Sequence, residues 1–409
     1  MTRGAFLVAA AAVGGAGLPA SLEAQEITGG ISATVLYDRV DPIPLGGSLG
    51  EVRVIHPVGM VHASMLGGQL SLTGMANLEG LTLEDGQLAP GVAGEGYADR
   101  RHPHTYVHEA VVTFQPADAR GISWSLSAGK GFAPYGSDDP MSRPVLRYPV
   151  NHHLAQVLER LVGIAAVRAG MVGLEGALFN GDEPDGPDQW PNAGRFADSW
   201  AARLTLYPTH GVELQGSLAS VTSPEHRPGG GLDHDQQSVS MRVERELGAD
   251  RVYGLAEFAR SDDAAFVMHS LLAEAAWGRG PHQAHYRFER TERPEEQRLA
   301  DPWRTPRPHH DFSNVGITRW SLHTLGYAFD AALRQGIGLV PMIELTLGRV
   351  HSLTPASFDP TLFYGRETVW AVSAGVRIGW GVRLHRMGRY GAAVAHEPGS
   401  HAPGHDGAH

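Results

Sequence analysis

Apolar and polar residues alternate along sixteen short stretches of the chain. In the last stretch, Trp370 and Val372 share one face, while Ser373 and Arg377 share the other. Successive side chains of a β-strand point to opposite sides, so this period of two predicts strands. The predicted strands are 27–37, 52–65, 68–79, 104–115, 121–131, 156–168, 170–180, 196–207, 211–222, 236–246, 250–260, 268–278, 282–291, 318–331, 337–350 and 366–380.

The links between these strands alternate strictly between long and short. Residues 208–210 and 247–249 form two of the short links, whereas the longest links are 80–103, 132–155 and 292–317. Short turns on one rim and long loops on the other are typical of a barrel in an outer membrane. The pattern places the short turns on the periplasmic side and the long loops outside the cell.

Charged residues recur on one face of the predicted strands, where the core of a β-sandwich would need Val or Leu. About sixteen strands can instead enclose a water-filled lumen, with the apolar face turned towards lipid. We therefore predict an all-β fold, a transmembrane antiparallel up-and-down β-barrel of about sixteen strands over residues 25–380. The predicted pore-lining charges carry both signs and indicate only weak selectivity: Arg203, Arg242, Glu244, Glu257, Glu274, Arg287, Glu289, Glu344 and Arg377.

Large aromatic residues lie near the ends of several predicted strands. Such positions are expected for the aromatic girdle that marks the two membrane interfaces of a barrel. The predicted girdle residues are Tyr207, Trp277, Trp303, Trp320, Tyr364, Trp370 and Trp380.

Composition narrows the function classes. The 409-residue chain carries a net charge of −11, which argues against a nucleic-acid partner because phosphate binding needs concentrated Lys and Arg. The absence of cysteine excludes disulfides and thiolate metal sites. No phosphate-binding glycine loop precedes a helix, and no local signature marks a nucleophile beside Ser240 or His269. We therefore expect no enzymatic activity.

The two ends of the chain differ from the strand region. Residues 1–24 are predicted to be a secretory signal peptide, with Arg3 before an apolar run and Leu22-Glu23-Ala24 as the cleavage site. A membrane anchor is the alternative, but the run is short and rich in Ala and Gly. Residues 381–409 are predicted to be a flexible periplasmic tail rich in His, Gly and Pro.

The end of the last strand, from Ser373 to Trp380, resembles the signal read by the outer-membrane assembly machinery, with Gly375, Ile378 and Trp380 at its key positions. The stretches 176–181 and 200–208 are similar in style to general and phosphate-selective porins. The resemblance implies a porin-like channel for passive diffusion of small hydrophilic solutes or ions across the cell outer membrane. It also implies outer-membrane lipid and the barrel assembly machinery as partners, and leaves a homotrimer open.

In porins the third outside loop often folds into the lumen and sets the constriction. The resemblance assigns this role to 132–155, where acidic and basic groups would create a transverse field. A solvated surface loop with local ion pairs is the alternative. The candidate constriction residues are Asp138, Asp139, Arg143, Arg147, His152 and His153.

The chain departs from the porin pattern by continuing past the assembly signal. The tail contains His396, His401, His405 and His409, and neutral imidazole is a common ligand for Zn, Cu and Ni. These residues predict weak binding of a divalent metal, or alternatively a solubilising tail without a metal; we expect no other cofactor. Three further alternatives stay open: a metal-linked or substrate-specific transporter, a non-conducting structural barrel, and a soluble all-β binding protein.

Overall fold

The computed structural model describes the chain with internal gaps. The described residues are 26–42, 46–82, 105–157, 159–182, 184, 187–222, 233–262, 266–296, 314–332, 336–381 and 386–394. The predicted signal peptide therefore lies outside the described residues.

Antiparallel strands make up most of the described chain. In chain order they are β1 Glu26–Asp41, β2 Leu49–Met65, β3 Leu70–Asn77, β4 Val107–Phe114, β5 Ile122–Gly131, β6 Arg160–Ala169, β7 Val172–Phe179, β8 Ser199–Thr209, β9 Val212–Val221, β10 His234–Leu247, β11 Asp250–Asp262, β12 Val267–Arg279, β13 His282–Glu296, β14 Asn314–Phe329, β15 Ile337–Ser352 and β16 Thr368–Gly381. The two residues Ala331–Ala332 continue β14 and pair with β15. Short α-helices occur at Glu79–Thr82, His152–Ala155 and Pro360–Tyr364.

The strands form one closed sheet in which each strand pairs with its neighbours along the chain. Closure is made between β1 and β16, in a register that runs from Gly30 opposite Gly381 to Asp41 opposite Trp370. The predicted all-β, antiparallel up-and-down barrel of sixteen strands is thus confirmed. All sixteen predicted strands are present, and their ends shift by only a few residues.

The two faces of the strands differ as the alternation predicts. On the outer face, the apolar side chains of Ile31, Val239 and Leu325 are each 60% or more exposed. On the inner face, Arg203 and Glu257 are almost fully buried. An exposed apolar band of this kind is the surface that a lipid bilayer covers. Lipid offers no hydrogen bonds to backbone N–H and C=O groups, so a sheet in a bilayer must close on itself to pair all of them.

Two-residue turns join several strands at the rim that the sequence assigns to the periplasm. Gly211 between β8 and β9 has φ 67°, and Gly248 between β10 and β11 has φ 66°. A left-handed backbone conformation favours glycine, which has no Cβ to clash. These turns keep the rim short and leave the long links at the opposite rim.

Two of the predicted girdle aromatics lie inside the barrel. Trp320 and Tyr364 are almost fully buried, with ring centroids 5.7 Å apart, and Glu295 accepts hydrogen bonds from both the Trp320 indole and the Tyr364 hydroxyl. The girdle prediction was wrong for both residues. Trp320 falls on the inward register of β14, beside buried Leu322, and Tyr364 packs against it. Trp277 and Trp380 do face outwards, whereas Trp303 lies outside the described residues.

The lumen is not simply filled with water, as the polar inner faces suggested. Residues 132–157, here called the lumen loop, fold inside the barrel, and so do residues 386–394, here called the tail segment. An apolar cluster joins wall residues such as Leu36 to Tyr148 of the lumen loop and Met387 of the tail segment. The prediction of a free tail is therefore corrected for 386–394; its other residues, apart from Gly381, lie outside the described residues.

No helix in the described part of the chain has the length and apolarity needed to cross a membrane.

The outward face of β8 gives a direct test of lipid exposure. Leu204 lies at the middle of this strand and is 44% exposed. Replacing it by Arg is expected to lower the free energy of unfolding in lipid by about 2–4 kcal/mol, the usual cost of a cation near the bilayer midplane of a barrel. Denaturant titration of the protein in vesicles measures this, with Leu204→Met as the matched control. Equal stability of the two variants would contradict lipid exposure.

Candidate constriction: the lumen loop and its anchors

The lumen loop crosses the barrel and is fixed by backbone N–H groups that donate to wall side chains. Gly136 donates to Ser217 of β9 (2.9 Å), and Leu146 donates to Glu344 of β15 (2.6 Å). Such bonds satisfy loop backbone groups that would otherwise be buried without partners. The loop therefore reaches across the lumen instead of lying on the outer surface, the alternative considered from the sequence.

Local features bend the loop where it enters the lumen. Gly136 has φ 67°, and a Cβ there would collide with the carbonyl oxygen of Ala155. Asp139 then caps the short 3-10 turn Pro140–Ser142 by accepting from the backbone N–H of Met141 at 2.7 Å. Gly136 and the Asp139 cap both set the path of the backbone. The role of the buried Asp139 is therefore to shape the loop.

Arg147 anchors the loop at the seam of the barrel. Its guanidinium contacts the Asp38 carboxylate of β1 and donates to the Ser373 hydroxyl of β16 at 2.5 Å. These partners come from the two strands that close the barrel. The Arg147 carbonyl oxygen in turn accepts from Arg287 of β13. One arginine thus ties the loop to the seam and to β13, which lies three strands away from β16.

Arg143 lies at a second charged centre. Its side chain donates to the carbonyl oxygen of Asp138 (2.8 Å), and one guanidinium nitrogen lies 3.5 Å from the Glu274 carboxylate of β12. Glu274 also accepts from Arg287 at 2.7 Å and from Tyr253 at 3.1 Å. Buried charges of both signs therefore meet where the loop contacts the wall at β12 and β13.

Asp138 joins three elements. Its carboxylate lies 3.0 Å from Arg242 of β10 and 2.7 Å from Arg386 of the tail segment. Burial alone would raise the pKa of the Asp138 carboxyl, but the cations Arg386, Arg242 and Arg389 hold its pKa well below the usual range. Asp138 is therefore negatively charged at neutral pH.

The two predicted histidines of the loop have different outcomes. His152 is buried, and its ring packs edge-on against Tyr148 with centroids 4.9 Å apart. His153 belongs to the same short helix, but its side chain lies outside the described part of the chain.

All predicted pore-lining residues lie on the inner side of the wall. Most contact the loop or another wall residue: Glu289 accepts from the backbone N–H of Val150 (2.7 Å), and Glu257 accepts from the Asn151 amide (2.9 Å). Arg203 makes a two-pronged contact with Glu175, at 2.6 and 2.7 Å. The remaining positions, Arg242, Glu244 and Arg377, line a cavity at the periplasmic end.

That cavity has a volume of about 1160 Å³ and opens at the rim of short turns. It is bordered mainly by β1, β2 and the strands from β10 to β16, with Thr209 and His210 at the end of β8, and the loop residues 141–144 lie at its inner end. The charged residues that line it carry both signs and include Arg245, Arg251 and Glu246. It forms a vestibule with a charged lining that leads from the periplasmic rim to the lumen loop.

The tail segment supplies lumen residues that the sequence reasoning missed. Tyr390 donates from its hydroxyl to Glu109 of β4 (2.5 Å) and accepts from the backbone N–H of Phe132 (3.1 Å). Arg389 is buried, and burial with repulsion from Arg203 and Arg386 lowers its pKa to about 10, which leaves it charged at neutral pH. One sign of this extra element is present in the sequence: the chain continues past the assembly signal, unlike the porin pattern.

The predicted assembly signal lies on the closing strand. Ile378 and Trp380 face outwards and are about half exposed, while Gly375 lies against β1, where a Cβ would meet Val35 and Leu36. Glycine here allows the two closing strands to approach.

The metal prediction falls on residues that the structure leaves out. His396, His401, His405 and His409 all lie outside the described residues. Among the residues that are described, no group of three or more His, Asp or Glu is arranged to hold a metal ion.

The structure combines a closed sixteen-stranded barrel, an exposed apolar belt and a third long loop that folds inwards. The architecture is that of a closed, antiparallel up-and-down β-barrel with a loop inside its lumen.

No family model matches the chain, and no curated protein matches its sequence. Among solved structures, it is similar to the anion-selective porin from Comamonas acidovorans, with 11% identity, a TM-score of 0.49, and 87% of this chain and 99% of that chain covered. It is also similar to OmpT, an outer membrane protein of Vibrio cholerae, with 10% identity, a TM-score of 0.48, and coverage of 88% and 100%. A BenF-like porin from Pseudomonas fluorescens Pf-5 matches at 9% identity and a TM-score of 0.42, with the same coverage of 88% and 100%.

Arg147 gives a test of the loop anchors. Arg147→Met keeps an unbranched, flexible side chain but leaves Asp38 buried without its cation, which is expected to cost about 3–5 kcal/mol of unfolding free energy. Denaturant titration in detergent micelles measures the loss. The matched variant Asp38→Asn with Arg147→Met removes both charges and should lose less. If the double variant is as unstable as the single one, the ion pair is not the anchor.

Proposed function

We propose that this protein is a passive diffusion channel for small hydrophilic solutes or ions, in which the lumen loop sets the constriction. One observation carries the proposal: a loop lined with buried charges crosses a lipid-facing barrel and is reached through a 1160 Å³ vestibule. Transport of this kind needs no chemical step. Water carries the solute to the constriction, and the fixed charges bias which solutes pass.

The constriction residues have separate tasks in this proposal. Arg147 and the backbone anchors hold the loop, whereas Arg143 faces the vestibule next to Glu274 and acts on the passing solute. The mixed charges of the vestibule wall favour hydrated ions and polar solutes over apolar ones. We therefore propose no catalytic role for any of these groups.

Two partners complete the proposal. The closing strand, with Ile378 and Trp380 facing outwards, would be read by the barrel assembly machinery during insertion. A homotrimer would bury part of the apolar belt against neighbouring copies. Crosslinking in native membranes, followed by gel electrophoresis, distinguishes a trimer from a monomer.

The channel is tested by single-channel recording in planar bilayers. Purified, folded protein is expected to give discrete ohmic current steps in salt solution. Heat-modifiable migration on gels confirms that the barrel is folded in the same preparation. Folded protein that produces no steps, in any variant described below, would contradict the channel function and favour a non-conducting structural barrel.

Arg377 tests whether the vestibule wall lies on the conduction path. It lines the cavity, so Arg377→Glu is expected to shift the reversal potential in a salt gradient towards cation preference. Arg349 lies on β15 with its side chain exposed on the outer face, and Arg349→Glu is the matched control. A shift of equal size in both variants would show that bulk surface charge, not the vestibule, is responsible.

A further inference from the structure

The tail segment occupies a defined part of the lumen. The last strand, β16, ends at Gly381 on the rim of short turns, and the chain reappears inside the barrel at Arg386. The segment then returns to the same rim, where Tyr207 donates to the carbonyl oxygen of Ala393 (3.2 Å) and Arg168 lies at Val394 (3.4 Å). It therefore dips into the barrel from the periplasmic end and comes back out.

The contacts of the segment lie on one side of the barrel. Arg386 makes a two-pronged contact with Glu213 of β9, and Arg203 of β8 donates to the carbonyl oxygen of Gly388 at 2.9 Å. Tyr390 reaches β4, and the backbone N–H of Ala392 donates to Ser125 of β5 at 3.0 Å. The segment thus fills the lumen beside β4 to β9. The vestibule lies mainly beside β10 to β16 and the first two strands, and meets the β4–β9 side only at the end of β8, at Thr209 and His210.

The segment also supports the lumen loop without joining the sheet. Arg386 binds Asp138 at 2.7 Å, Tyr390 accepts from the backbone N–H of Phe132, and Met387 packs in the apolar cluster that contains Leu146. None of the described tail residues pairs in the barrel ladder, which is closed by β1 and β16 alone. Removing the segment would therefore leave every strand pairing intact.

We propose that Arg386–Val394 is a displaceable plug of this chain's own sequence, which closes the β4–β9 side of the lumen from the periplasmic end. With the plug seated, solutes have only the vestibule side and its narrow passage at the lumen loop. When the plug leaves, the β4–β9 side opens, and Asp138 and Glu213 lose a cation that they share. The inference rests on the proposed channel function and adds a second, wider conducting state to it.

Deletion of residues 386–409 tests the plug directly, because it keeps the closing strand and its assembly signal. Single-channel conductance of the truncated protein is expected to rise about twofold or more over the full chain, since a second part of the lumen becomes open to ions. Full-length protein should show brief steps to the same high level. Arg386→Gln should lengthen those steps, and Arg349→Gln on the outer face should not.

A crosslink keeps the test valid if the truncated protein does not fold. The chain has no cysteine, so the pair Ser125→Cys with Ala392→Cys introduces the only two thiols. The oxidised pair, confirmed by mass spectrometry, should lose the high-conductance steps, and reduction should restore them. Each single cysteine variant is the control and should behave like the full chain.

The outcomes separate the two proposals. Equal conductance of truncated and full-length protein, or high-conductance steps that persist in the oxidised pair, would overturn the plug while leaving the channel in place. Absence of current in all folded variants would overturn the channel itself.

Discussion

A sheet that crosses a membrane must close on itself, because lipid offers no hydrogen bonds to an unpaired edge. Here the closing pair is β1 with β16, and its register runs without a break from Gly30 to Asp41. The same two strands provide Asp38 and Ser373, which hold Arg147 of the lumen loop. Closure of the barrel and placement of the constriction therefore depend on one seam.

Charge pairing inside the lumen follows from this closure. A wide barrel has too few apolar inner residues to pack its interior, and its inward face carries Arg and Glu instead. Isolated buried charges are costly, whereas paired ones with further hydrogen bonds are tolerated. The wall carboxylates of Glu344 and Glu289 meet this need by accepting from loop N–H groups, and Asp138 meets the tail cation Arg386. Charge pairing, together with the apolar cluster that contains Tyr148 and Met387, thus holds these segments inside the barrel.

The sequence predicted the wall well and the contents of the lumen only in part. Strand alternation reports which side chains share a face, so the inward positions of Arg203 and Glu257 could be derived directly. Trp320 shows the limit, since an aromatic residue near a strand end suits either a membrane interface or a buried contact with Tyr364. Position along a strand alone does not distinguish the two.

The loop and the tail are harder to place for a different reason. Their partners are distant in sequence: Phe132 meets Tyr390, and Arg147 meets Asp38. Irregular segments have no period that would reveal such pairs. The lumen loop could be anticipated from a family resemblance, but the composition of the tail suggested a free end, although its Arg386, Arg389 and Tyr390 are chemically suited to a charged lumen.

The central claim is that outward side chains contact lipid while inward ones enclose the lumen. Nitroxide labels placed singly along β8 at positions 200 to 206 in this cysteine-free chain measure it through collision with oxygen dissolved in the bilayer. The account predicts high oxygen accessibility at positions 200, 204 and 206, and low accessibility at 201, 203 and 205. Equal accessibility along the strand, or the opposite alternation, would contradict it.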